Sequence, residues 1–136
     1  MFDVFAALVG AEVESLDCSS ARPRSRQYSS RDNLAATVKY ADGSLCTLVY
    51  TALGAKGLDK EYLEVHCGQT SYVLRDYKEL TVHGGPGGWS AKAPDKGHAE
   101  ELRAIKRYCD APGELPIPLE EIAQATRISI LADKAA

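Results

Sequence analysis

The sequence predicts an α+β domain: a mostly antiparallel sheet of about five or six strands, helices packed on one face, the other face open. Three observations predict it. A hairpin signature occupies residues 33–52, short closely spaced strands fill 61–83, and helical periodicity appears near both ends of the chain. At 136 residues, 45% hydrophobic and 26% charged, the chain reads as one soluble globular domain spanning 1–136.

The hairpin is the organising stretch. Asn-Leu-Ala-Ala-Thr-Val-Lys-Tyr and Leu-Cys-Thr-Leu-Val-Tyr-Thr-Ala flank Ala41-Asp-Gly-Ser44, and Asp-Gly is a strong short-range turn signal. A two-residue Asp42-Gly43 turn sets Tyr40 opposite Leu45, Val38 opposite Thr47 and Ala36 opposite Val49. One face then carries Leu34, Ala36, Val38, Tyr40, Leu45 and Val49. The reverse face carries Ala35, Thr37, Lys39, Cys46, Leu48 and Tyr50, a mixture too apolar for water alone. Helices cover the first face; a partner outside the chain is expected on the second.

In chain order, residues 1–9 read as a helix apolar nearly all round, stopped by Gly10, with Asp3 its only charge. A helix so apolar at residue one, with no residue before it to cap it, suggests that the chain is part of something longer. Residues 11–20 read as a strand and 19–32 as a loop rich in Ser and Arg, with Arg22-Pro-Arg-Ser-Arg26 its cationic cluster. Residues 61–67 alternate Leu63, Val65 and Cys67 against Tyr62, Glu64 and His66. Two further strands, 71–75 and 78–83, follow turns at 68–70 and 76–77. Spacing so short leaves no room for parallel crossovers.

Residues 84–97, with Gly-Gly-Pro-Gly-Gly-Trp89, read as a mobile loop and lack the GxGxxG spacing of a nucleotide cradle. A helix over 98–110 places His98, Leu102, Ile105 and Cys109 on one stripe, with His98 read as a hydrogen-bonded core histidine. Three prolines keep 112–118 extended. The last helix, 119–136, places Leu119, Ile122, Ala123, Thr126 and Ile130 on its core stripe, and leaves Ile128 and Leu131 for a second contact surface.

Several function classes are excluded or disfavoured. A net charge of -3 without a basic stripe argues against nucleic acid. No apolar run is long enough for a membrane span. The apolar start lacks a basic leader, so it does not read as a signal peptide, and the cytoplasm is the default location. Cys18, Cys46, Cys67 and Cys109 show neither CxxC nor ligand-spaced His, so they read as reduced core thiols, with no metal site.

The order of these pieces resembles the C-terminal domain of the Gfo/Idh/MocA oxidoreductases (glucose–fructose oxidoreductase, inositol dehydrogenase and rhizopine-catabolism relatives). That domain opens on a helix of the form His-x-x-Asp, with Leu and Gly following. Here Met-Phe-Asp-Val-Phe-Ala-Ala-Leu-Val-Gly supplies x-x-Asp and the Leu-Val-Gly ending. Asp32-Asn33, Tyr-Ala-Asp-Gly-Ser, Glu64-Val-His-Cys-Gly68, Lys96-Gly-His-Ala-Glu-Glu-Leu102 and Pro-Ile-Pro-Leu-Glu-Glu-Ile-Ala continue the likeness along essentially the whole chain.

The resemblance implies a nicotinamide-dependent oxidoreductase acting on a sugar, polyol or derivative. NAD or NADP would be held by a separate N-terminal Rossmann domain that this chain lacks, so no cofactor is expected on the chain itself. The family's catalytic His would immediately precede Met1, and its catalytic Lys lies in a segment absent here. Asp3 is the catalytic residue that remains: His and Asp three apart share a helix face, where a carboxylate orients an imidazole that takes a hydroxyl proton. Arg22, Lys96 and His98 are the candidate substrate-binding residues. Alone, the chain is expected to be inactive, serving as the substrate and oligomerisation domain, a homodimer through the open sheet face. The alternative is a stand-alone ligand-binding or dimerisation module of the same fold.

Overall fold

The computed structural model describes residues 1–22 and 27–135. Contacts divide the chain into two compact units, Met1–Gly54 with Gly113–Ala136, and Ala55–Pro112. The α+β class holds, with antiparallel pairing throughout. Where one sheet of five or six strands was expected, the described residues form a three-stranded and a four-stranded sheet.

The first unit contains α1 (Phe2–Val9), β1 (Val13–Ser20), β2 (Asn33–Tyr40), β3 (Leu45–Thr51) and α3 (Leu119–Ala135). A 3-10 turn, Ser30–Asp32, leads into β2. Gly10 closes α1 in the left-handed conformation, its N–H donating to the Ala6 carbonyl at 2.9 Å. Phe2, Phe5 and Ala6 are buried, while Leu8 stays exposed, so this helix is less enclosed than its composition suggests.

The hairpin register differs from the predicted one by one residue. Lys39 pairs with Leu45, Val38 with Cys46, Ala36 with Leu48 and Ala35 with Val49. The cause is a three-residue loop. The Gly43 N–H donates to the Tyr40 carbonyl at 3.0 Å, and Gly43 alone takes positive φ, at 88°. The Asp42 carboxylate accepts from the Ser44 N–H at 2.9 Å and the Ser44 hydroxyl at 3.0 Å, pinning the loop. Because side chains alternate, the slip turns over all of β3. Cys46 and Leu48 pack on the core, whereas Leu45 and Val49 stand 66% and 72% exposed on the outer face.

Phe2, Phe5, Ala36, Val38, Tyr40, Ile128 and Ala132 form the core between this sheet and the two helices. Ile128 is the α3 residue at its centre, only 2% exposed, while Leu119, Ile122 and Ile130 are exposed. This reverses the predicted stripe. Apolar residues lie on more than one side of the helix, and positions 128 and 130 sit about 200° apart. Gln124 settles the orientation. Its amide donates to the Ala11 carbonyl at 3.1 Å and accepts from the Val13 N–H at 3.2 Å, tying the Ile128 side to the start of β1.

Two buried polar groups behave differently. Asn33 donates to the Ser29 carbonyl at 2.9 Å and accepts from the Thr51 hydroxyl at 2.8 Å and the Ala52 N–H at 3.1 Å, so it fastens the end of the β2–β3 ladder away from the turn. Tyr40 is fully buried, and its hydroxyl has no partner among the described residues. Burial pushes its pKa up to about 12.

The second unit contains β4 (Tyr62–Cys67), β5 (Thr70–Arg75), β6 (Glu79–His83), β7 (Trp89–Ser90) and α2 (His98–Asp110), its sheet ordered as numbered. Leu63 pairs with Leu74, Leu74 with Leu80, Val65 with Tyr72 and Tyr72 with Val82, giving one apolar face. Within the segment read as a loop, Trp89–Ser90 form a short strand that pairs Trp89 with Leu80. A Cβ on Gly88 would meet the Leu80 carbonyl at 2.8 Å, so glycine is required by the close approach. Helix α2 has the predicted limits, but Leu102, Ile105 and Cys109 are exposed, and Ala104 and Tyr108 are its partly buried positions. Cys67 and Cys109 are exposed free thiols, not core residues; Cys18 and Cys46 are partly buried.

Gly43→Ala should lower stability by about 1–2 kcal/mol, the usual left-handed cost for a side chain. It would appear as a lower urea midpoint at unchanged slope. Ile128→Ala should cost about 2–5 kcal/mol, and Ile130→Ala no more than about 0.5. Equal losses would mean that the helix is rotated.

Candidate functional site

Within the first unit, α1, the Pro116-Ile117-Pro118 segment and α3 enclose a groove of about 710 Å³. That volume is in the range of small-molecule sites. Phe2, Val4, Ile117 and Ile122 make it apolar, and Thr126 and Ser129 add hydroxyls. The prolines hold the segment extended, and the Pro118 carbonyl accepts from the Glu121 and Ile122 N–H groups at 3.1 and 3.3 Å. The wall therefore runs directly into the first turn of α3.

Asp3 lies in the first turn of α1 and lines this groove, its side chain 77% exposed. Its carboxylate meets the Met1 amino group at 2.8 Å. That bond, more than any other contact, holds its pKa below the usual value, outweighing the partial burial that raises it. Asp3 is thus a charged acceptor at neutral pH. The second carboxylate on the groove is the half-buried Glu121. Among the described residues, Asp3 and Glu121 are the charged side chains lining it, beside the Met1 amino group.

The predicted site residues are divided between the units. Arg22 is exposed just after β1, and residues 23–26 of its cluster lie outside the described residues. Lys96 and His98 belong to the second unit. His98 is the exposed first residue of α2, which corrects its reading as a core histidine. Lys96 donates to Glu61 Oε1 at 2.7 Å, and its ammonium lies 5.4 Å from the centre of the Tyr77 ring. The Glu61 bond raises its pKa. At the same end of the sheet, Lys78 bonds Asp76, raising the lysine pKa and lowering the carboxylate's. Lys96 is therefore paired with a carboxylate, and it fastens the approach to α2 onto the start of β4.

Glu61, Tyr77 and Glu121 escaped the sequence reading. Glu61 and Lys96 lie 35 positions apart, a separation that leaves no local signal. Ile117 was legible only as part of an extended proline-rich segment. Among the described residues, no group of His, Cys, Asp and Glu could hold a metal ion, and no helix is long and apolar enough to cross a membrane.

No protein-family model matches the sequence, and no curated protein does. Solved structures do. UDP-N-acetylglucosamine 3-dehydrogenase GnnA from Acidithiobacillus ferrooxidans matches 99% of this chain at a TM-score of 0.78 and 11% identity. Biliverdin reductase from Synechocystis sp. PCC 6803, solved with biliverdin and NADP+, matches 99% at 0.68 and 14% identity. The WlbA dehydrogenase from Bordetella pertussis, solved with NADH and UDP-GlcNAcA, matches 99% at 0.57 and 19% identity. GnnA and WlbA are Gfo/Idh/MocA-type oxidoreductases, in agreement with the resemblance read from the sequence. At these identities the likeness is one of fold. The chain spans 44%, 43% and 40% of the three neighbours' lengths.

The Lys96–Glu61 pair makes a prediction about pH. A lysine with a raised pKa stabilises fully below its unfolded value, about 10.4, and less as pH rises through the folded value. Asp76, with its depressed pKa, stabilises above about 3.9 and less as pH falls through the folded value. Lys96→Met should therefore weaken the alkaline fall in melting temperature and leave the acid limb in place. An unchanged alkaline limb would count against the pair.

Proposed function

We propose that this chain is the substrate-side and assembly portion of an NAD(P)-dependent oxidoreductase acting on a sugar, a polyol or a derivative. One observation carries the reading: 99% of the chain follows the fold of GnnA while accounting for 44% of that chain. The nicotinamide cofactor would supply the hydride acceptor or donor. The residues here do not suit its pyrophosphate, because the charged side chains on the groove are carboxylates, which repel it. The dinucleotide belongs on a separate Rossmann domain.

Asp3 is the residue assigned to chemistry. Its position in the first turn of α1 suits a carboxylate that orients an imidazole one helical turn before it, and that imidazole takes the substrate hydroxyl proton. The groove supplies apolar walls for a sugar's carbon face and hydroxyls for its polar edge. Arg22 and His98 remain candidate substrate contacts, each in its own unit, and Lys96 acts through its bond to Glu61. Association of two copies is assigned to the outer face of the β1–β2–β3 sheet, where Leu45, Val49 and Thr47 are exposed.

Two experiments test the reading. Calorimetric titration of NADH and NADPH into the isolated chain should give no binding heat, and the codons before Met1 should continue in frame through a His toward a strand followed by GxGxxG. Appreciable dinucleotide affinity, or a stop codon and ribosome-binding site directly upstream, would overturn it in favour of a stand-alone module. For assembly, sedimentation should find a dimer that Val49→Lys converts to a folded monomer. Leu48→Lys, facing the core, should unfold the chain instead. A wild-type chain that stays monomeric at high concentration would end the assembly proposal.

A further inference from the structure

We draw no further inference here: the strongest candidate, the exposed Tyr62–Glu64–His66–Ser71 cluster on the polar face of the β4–β5 ladder, is held by contacts among its own members, and nothing among the described residues points to a ligand for it.

Discussion

The turn between β2 and β3 is the constraint on which the first unit depends. A two-residue type I′ turn would need both Asp42 and Gly43 at positive φ. The three-residue loop asks this of Gly43 alone, and so avoids a left-handed cost of about 1 kcal/mol at Asp42. It also frees the Asp42 carboxylate to accept both Ser44 donors. A local choice of this size then decides a much larger quantity. With the register fixed, Val38 and Tyr40 lie against the helices together with Cys46 and Leu48, and Leu45 and Val49 have no place in the core.

The helices are placed by what that face offers. Ala36 at the centre of the sheet and Ala132 on α3 are both small, and the Cys18 thiol lies 3.8 Å from the Ala132 carbonyl. Small residues on both sides let a helix backbone lie close to a strand, and Ile128 fills the remaining space between Val38, Tyr40 and α1. Gln124 bonds to both Ala11 and Val13, so rotating α3 would leave a peptide carbonyl and an N–H without their partner. With α1 and α3 held this way, the Pro116-Ile117-Pro118 segment lines the groove beside them. The groove beside Asp3 is a by-product of that packing.

Much of this was legible in the sequence, and the failures share a cause. Period-two alternation and the Asp-Gly turn located β2, β3 and β4, and the limits of α2 came from periodicity and flanking Gly and Pro. Which side of an element faces inward was read less well. For β3 the answer turned on one residue of loop length, which depends on side-chain bonds from Asp42. For α3 it turned on an amide bridge to residues more than 110 positions away. Asp3 was singled out through the family resemblance, and the structure sets it on the groove. Glu61, the partner of Lys96, was not, because strand pairing and a turn bring them together.

The neighbours that share this fold name very different molecules, a UDP-sugar for GnnA and biliverdin for the Synechocystis reductase. The scaffold therefore does not choose a substrate; side chains around it do. Among the described residues, the groove wall brings carboxylates and hydroxyls but no Lys, Arg or His side chain. Such a wall offers apolar contact and hydroxyl partners to neutral hydroxylated carbon, and offers phosphate no cationic side chain. Under the proposed function, any nucleotide diphosphate carried by the substrate would have to be met away from α1 and α3. Arg22 is exposed just after β1, at the end opposite its Gln124 bridge. Under the proposed function, the wall beside Asp3 is therefore matched to a neutral sugar ring and not to a phosphate.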